Sequence, residues 1–151
     1  MIYLSGSCSS EHRTLMQGIS KSLRESGYEV YCPFEYKVED AWNYSQEDWA
    51  DLVFMEDIKA LDKCSVFLLI SPGRNSTAGS NFEQGYAYAK GKTVIVVQYT
   101  KNNTSIMTYS GCHVFKNSNL DNINKDVVEI MSCLHKYVYT TDSIKCDTTL
   151  V

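Results

Sequence analysis

The residue that raises the question of chemistry is Glu83, in 76-STAGSNFEQGYAYAKGKTVIVV-97, where a small-residue loop runs into a helix. It falls in the first turn of that helix, where a glutamate ordinarily opposes the macrodipole from a solvated face. Its flanks, Phe82 on one side and Gly85-Tyr86-Ala87-Tyr88 on the other, read as buried. A carboxylate at the mouth of an apolar sheet, beside a loop able to bind an anion, is a candidate nucleophile or base. That loop, 73-GRNSTAG-79, has two readings. It is a flexible connection with an N-cap from Ser80 or Asn81, or a set of backbone N–H groups that holds an anion or a sugar hydroxyl. It matches neither the Walker pattern nor G-x-G-x-x-G. Asp57, next to Glu56, is either a surface charge or a second carboxylate for the same pocket. Paired with Glu83 it would suit glycosidic chemistry, one carboxylate attacking the anomeric carbon while the other handles the proton on the leaving group. Ser/His/Asp catalysis has no support, because His12 and His135 read as helix-surface residues and His113 lies in a short strand.

These groups need a scaffold, and the apolar pattern supplies one. IYLSG opens as a short buried strand that stops at Gly6. Residues 10 to 26 place Leu15, Met16, Ile19 and Leu23 at helical spacing, and Gly27 closes the helix. YEVYC is a second strand, broken by Pro33. The segment from Phe34 to Ser45 reads as a polar and aromatic loop with the character of a lid, whose Phe34, Tyr36, Trp42 and Tyr44 either stack on a ligand or simply pack. A second helix, QEDWADLVFMEDIKALDKC, carries Trp49, Leu52, Val53, Ile58 and Leu61 on its apolar side. SVFLLIS and TVIVVQY are unbroken apolar runs, the mark of strands buried on both faces. Between them lies the helix SNFEQGYAYAKGK. CHVF is a last brief strand, and LDNINKDVVEIMSCLHKYV a closing amphipathic helix.

Strands alternating with helices predict an α/β fold, a flavodoxin- or Rossmann-like parallel sheet of about five strands with helices on both faces. One domain is expected over residues 1–138, followed by a polar, loose tail over 139–151. Ligands of such sheets bind beyond the carboxyl ends of the strands where the chain order reverses, which selects the loops Gly6–Ser10, Ser71–Ser80 and Tyr99–Gly111.

Bulk properties narrow the field. A chain of 151 residues with 44% hydrophobic content, 2 prolines and 8 glycines is built to bury a core. The net charge of −4, from 14 basic and 18 acidic residues without a basic run, argues against a nucleic-acid groove. No stretch approaches the roughly 18 apolar residues of a membrane span, and MIYLSGSCSSEHR lacks the pattern of a signal peptide. The six cysteines, Cys8, Cys32, Cys64, Cys112, Cys133 and Cys146, are scattered without C-x-x-C or metal spacing. Reduced thiols in a cytoplasmic protein, with no metal, are expected.

Four stretches together resemble the nucleoside 2-deoxyribosyltransferase superfamily, which also contains nucleoside 5′-monophosphate N-glycosidases. The likeness runs over roughly residues 1 to 116. IYLSG looks like the family's first strand, with Tyr3 at the tyrosine that hydrogen-bonds the catalytic glutamate. FMEDIKALDKCSVFLLI is similar to the segment bearing the catalytic aspartate, which falls on Asp57. TAGSNFEQGYAYAKGK resembles the nucleophile motif, with Glu83 as the residue that takes up the deoxyribosyl group. SIMTYSG resembles the segment that reaches into a neighbouring subunit's pocket. The resemblance therefore implies catalysis by Glu83, Asp57 and Tyr3, and substrate contacts from Gly6, Ser7, Thr77, Gly79, Ser105, Met107 and Ser110. It implies no cofactor, a nucleotide or nucleoside as small-molecule substrate, and a homodimer or larger homo-oligomer with shared active sites.

Departures from the family pattern bear on the substrate. Transferases acting on free nucleosides carry an aspartate six residues before the glutamate, where it binds the 5′-hydroxyl; this chain has Thr77. The monophosphate hydrolases carry a serine there, since a carboxylate repels phosphate while a hydroxyl donates to it. Ser105 matches a serine of those hydrolases, and Ser110 stands where transferases tend to be acidic. Against this, the hydrolases place an arginine after their first-strand Gly-Ser, whereas Gly6-Ser7 is followed by Cys8-Ser9, leaving Arg13 or Arg74 as substitutes. The resulting expectation is hydrolysis of (deoxy)nucleoside 5′-monophosphates through a covalent glycosyl-Glu83. The alternatives are base exchange between free deoxynucleosides and a non-catalytic nucleotide-binding module.

Overall fold

Strand parity explains the architecture. In the computed structural model, which describes residues 1–7, 9–134 and 144–145, six parallel strands form one sheet. They are β1 (Ile2–Ser5), β2 (Val30–Tyr31), β3 (Val66–Ser71), β4 (Thr93–Gln98), β5 (Val114–Asn117) and β6 (Ile144–Lys145), in the order β2-β1-β3-β4-β5-β6. Five helices accompany them: α1 (Arg13–Glu25), α2 (Gln46–Lys63), α3 (Ala78–Ala89), α4 (Ile106–Ser110) and α5 (Ile123–Ser132). Successive side chains of a strand point to opposite faces, so the sheet has two cores. Ile2 and Leu4, with Leu68, Ile70, Ile95 and Val97, pack under α1 and α5. Tyr3, Phe67, Leu69, Val94, Val96 and Phe115 pack under α2 and α3 through Leu61 and Ala87. The parallel α/β expectation holds, and β6 extends it by a two-residue strand paired in register with Val114 and Phe115. The rest of the expected tail, with Cys146, lies outside the described residues, as do residues 135–138 at the end of the expected closing helix, His135 among them, and Cys8. Cys32, Cys64 and Cys112 are buried and Cys133 is half-buried. Among the described residues no helix is long and apolar enough to cross a membrane.

The chain runs from β1 outward to β2, then returns past β1 to β3. The order therefore reverses between β1 and β3, and their carboxyl ends form a crevice. Two features depart from the sequence reading. Residues 10 to 12 form a 3₁₀ turn before α1 begins at Arg13. In α2 only Ala60 and Leu61 are buried, while Trp49 and Leu52 of the expected apolar side are exposed and Val53 and Ile58 are half-buried. Length explains the second difference: 18 residues make a helix of about 27 Å, against about 20 Å for a six-residue strand. Its first turns therefore overhang the carboxyl ends of the strands.

The loops above that crevice are fastened to one another. Buried Gln98 donates to the carbonyls of Thr100 and Asn102 and accepts from Thr104 Oγ1 at 2.6 Å. Thr100 Oγ1 donates to the Pro72 carbonyl, and the Arg74 N–H to that of Asn103. Gly73, at φ +76°, sits at this junction, where an added Cβ would come within 3.0 Å of the Asn102 carbonyl oxygen. Gly73→Ala is expected to lower the unfolding free energy by about 1–3 kcal/mol, measured by denaturant titration.

Candidate active site

Glu83 is where the elements converge. Tyr3 and Ser5, two residues apart on β1, share its face toward α3. Tyr3 Oη donates to Glu83 Oε1 at 2.9 Å, and Ser5 Oγ donates to Oε2 at 2.6 Å. Ser5 is buried, so its hydroxyl needs a partner, and Glu83 is that partner. Burial raises the Glu83 pKa, the Ser5 and Tyr3 hydrogen bonds pull it back, and the charge of Asp57 raises it again. Asp57 lies on α2 and accepts a hydrogen bond from Tyr31 Oη at 2.8 Å. Its pKa is raised by burial, lowered by Tyr31 and raised by neighbouring Glu56. Tyr3 and Tyr31 are register partners on β1 and β2, with ring centroids 5.4 Å apart. Burial foremost, with the nearby carboxylates, pushes both phenols far above their ordinary range, so both remain donors.

The setting of Glu83 corrects two expectations. Helix α3 begins at Ala78, two residues earlier than the expected start at Ser80, so Glu83 stands in its second turn and not its first. Its aromatic flanks, moreover, are not buried. Phe82, Gly85 and Tyr88 are exposed, and Tyr86 is half-buried. The buried stripe of α3 is Ser80, Gln84 and Ala87, with Glu83 half-buried along its edge. The N-cap is also neither Ser80 nor Asn81. Thr77 fills that position, its Oγ1 accepting from the Ser80 N–H at 3.2 Å. Ser80 Oγ lies 2.8 Å from Thr77 Oγ1 and donates to the Gly6 carbonyl, so it clasps the β1 and α3 ends together. A Cβ at Gly6 would lie 2.7 Å from Met16 Sδ, so a side chain there would displace the end of the Met16 side chain.

The remaining candidates divide between two places. Gly6, Ser7, Thr77 and Gly79 border the carboxyl end of β1 and the start of α3. Ser7 Oγ donates to Ser9 Oγ, which lies 2.7 Å from His12 Nδ1, and nothing stands within 4 Å of a Cβ built at Gly79. Ser105, Met107 and Ser110 instead line a groove of about 400 Å³ between α3 and α4, shared with Asn81, Gln84 and Tyr88. Ser105 caps α4 by accepting from the Met107 N–H, and Met107 is 80% exposed. An adjoining hollow of about 320 Å³ includes Arg74, Ser76, Asn81 and Ser105. Ser76 Oγ is buried without a hydrogen-bond partner among the described residues. Arg13 is occupied elsewhere, its guanidinium 4.7 Å above the Phe34 ring. Phe34 packs on the α1 core, whereas Tyr36, Trp42 and Tyr44 are exposed.

Ser5 and Tyr31 are the residues that sequence reasoning missed. Their signals were a hydroxyl two places after Tyr3 in an otherwise apolar strand, and a second tyrosine in the strand that pairs with it. Gln84 was missed as well; it donates to the carbonyls of Thr108 and Gly111 and so fixes α4 against α3.

A parallel sheet of order 2-1-3-4-5-6 defines a flavodoxin-like α/β protein, here with two tyrosine-held carboxylates at its switch point. The sequence profile of the nucleoside 2-deoxyribosyltransferase family matches residues 2–139, and the chain belongs to that family. Its members are glycosyltransferases and N-glycosidases that act on nucleoside or nucleotide small molecules. Two solved structures share the fold. The 2-deoxyribosyltransferase of the psychrotolerant bacterium Bacillus psychrosaccharolyticus is 23% identical over 82% of this chain and 89% of its own, with a TM-score of 0.68. The Clostridium botulinum CMP N-glycosidase BcmB is 20% identical over 88% of this chain and 98% of its own, with a TM-score of 0.58. Comparison by sequence with curated proteins gave no significant match.

Tyr3→Phe removes a donor from the ionised form of Glu83 and raises its pKa further. The acidic limb of a pH–rate profile for base release is therefore expected to move to higher pH, and an unmoved limb would exclude Glu83 as the group that must ionise.

Proposed function

We propose that this protein hydrolyses the N-glycosidic bond of (deoxy)nucleoside 5′-monophosphates through a covalent glycosyl-Glu83. The observation that carries the reading is a largely desolvated carboxylate held by two hydroxyls, beside a second carboxylate. A Glu83 oxygen attacks C1′, the bond from C1′ to the base nitrogen breaks, and its electron pair leaves with the base, which takes a proton from Asp57. Water then attacks C1′, the C1′–Oε bond breaks with its electrons returning to Glu83, and Asp57 accepts the proton. Burial raises the pKa of both carboxyls, which suits Asp57 as the group that must hold a proton, while the two hydroxyl donors on Glu83 favour its ionised form against the same effect.

The 5′ end of the substrate is assigned to the start of α3. No acidic residue occupies the first turn there, Thr77 and Ser80 bring hydroxyls, and the unpartnered Ser76 hydroxyl is adjacent. A helix N-terminus of this kind favours an anion. Base exchange between free deoxynucleosides is the second reading, favoured by the commitment of Arg13 to Phe34. The two readings separate when base release is followed by chromatography from nucleosides and their 5′-monophosphates, with and without an acceptor base. Release from monophosphates without acceptor is the expected result, abolished in Glu83→Gln. Exchange confined to free nucleosides would establish the transferase. Thr77→Asp preserves an N-cap, because aspartate caps as well as threonine. Its expected effect is a loss of monophosphate turnover of about tenfold or more from charge repulsion, with the melting temperature unchanged.

A second copy of the chain is part of this reading. Ile106 and Met107 are 67% and 80% exposed, and the 99–111 segment is assigned to a neighbour's pocket, placing Ser105, Met107 and Ser110 on substrate. Sedimentation is expected to give a dimer or larger assembly; a fully active monomer would remove those three residues from the site.

A further inference from the structure

We infer that Ser5 is a catalytic residue whose hydroxyl drives release of the sugar from Glu83, so that the covalent intermediate does not accumulate during turnover. This rests on the reaction proposed above and concerns its second half. The Ser5–Glu83 distance of 2.6 Å lies in the range of a hydroxyl donating to a charged oxygen. It is shorter than the 2.9 Å contact from Tyr3, which holds the other oxygen. Ser5 is 1% exposed in a strand whose other members are Ile2, Tyr3 and Leu4, where an alanine would serve packing equally well.

The bond does different work in the two half-reactions. When Glu83 attacks C1′, its carboxylate becomes an ester, the negative charge disappears, and both oxygens become poorer acceptors. When water displaces the sugar, the electron pair of the C1′–Oε bond returns to Glu83 and the charge reappears under the two hydroxyls. A donor fixed in place before the charge develops stabilises that transition state and needs no reorganisation. The same donor makes the free carboxylate less nucleophilic, so it restrains the first half-reaction while favouring the second. Tyr3 alone would give one charge-assisted bond; with Ser5 both oxygens are covered, and the carboxylate becomes a better leaving group.

The test is Ser5→Ala, with Ser5→Thr to restore a hydroxyl, on a purine and a pyrimidine deoxynucleoside 5′-monophosphate. In the wild-type protein, rapid-quench kinetics should show base release without a burst. In Ser5→Ala, kcat should fall roughly ten- to a hundredfold, the loss of one hydrogen bond to a charged group. KM should fall with it, leaving kcat/KM within a few-fold. Base should then appear in a burst of one equivalent per site, and acid-quenched protein should carry a phosphodeoxyribosyl mass on the peptide containing Glu83. Ser5→Thr should restore burst-free turnover. A full burst in the wild-type protein would overturn the inference. So would equal losses of kcat and kcat/KM in Ser5→Ala, which would mark Ser5 as positioning the attack only. Absence of base release from every substrate in the wild-type protein would bring down the hydrolase reading itself, and this inference with it.

Discussion

A carboxylate taken out of water is a poor anion unless something other than water carries its charge. Here the first strand does so, with Tyr3 and Ser5 placing one hydroxyl on each oxygen of Glu83. The surroundings serve that contact. The period of two along β1 puts both hydroxyls on one face and gives Ile2 and Leu4 to the opposite core. Ser80 ties the start of α3 to the Gly6 carbonyl, and Ala87 seats the helix on the sheet, so Glu83 has little freedom to leave its donors.

The two acids differ in what surrounds them. Glu83 receives two donors and Asp57 one, while Asp57 has Glu56 beside it. Burial raises the pKa of both, and the donors on each draw it back toward the ionised form; the proposed reaction calls for the proton on Asp57 and the charge on Glu83. Across the crevice the start of α3 offers hydroxyls and backbone N–H groups without a carboxylate, which favours a negatively charged 5′ end in the proposed reaction.

How far the sequence could be read depended on the kind of signal. Long apolar runs such as SVFLLIS and TVIVVQY announce central parallel strands, and the helices between them follow from spacing. Tyr3, Asp57 and Glu83 were accessible because each stands in a stretch with a recognisable pattern. Ser5 and Tyr31 were not, because a hydroxyl within a buried strand reads as filler until its partner in another element is known. The exposure of Phe82 and Tyr88 was misjudged for a related reason: aromatic content says nothing about which stripe of a helix meets the sheet. The surplus length of α2 was likewise invisible, since only the strands beneath it determine how much of it is covered.

The pairing of Tyr3 with Tyr31 across β1 and β2 has a bearing on how the chain matures. A slip of β1 by one residue would exchange its two faces, presenting Ile2 and Leu4 to Glu83 and turning Tyr3 and Ser5 toward α1. Such a strand would bury almost as much apolar surface, so compactness alone would scarcely register the error. The carboxylate, however, would face hydrocarbon with no donor in reach. A wrong register of β1 would thus betray itself at Glu83 before it did so in the core.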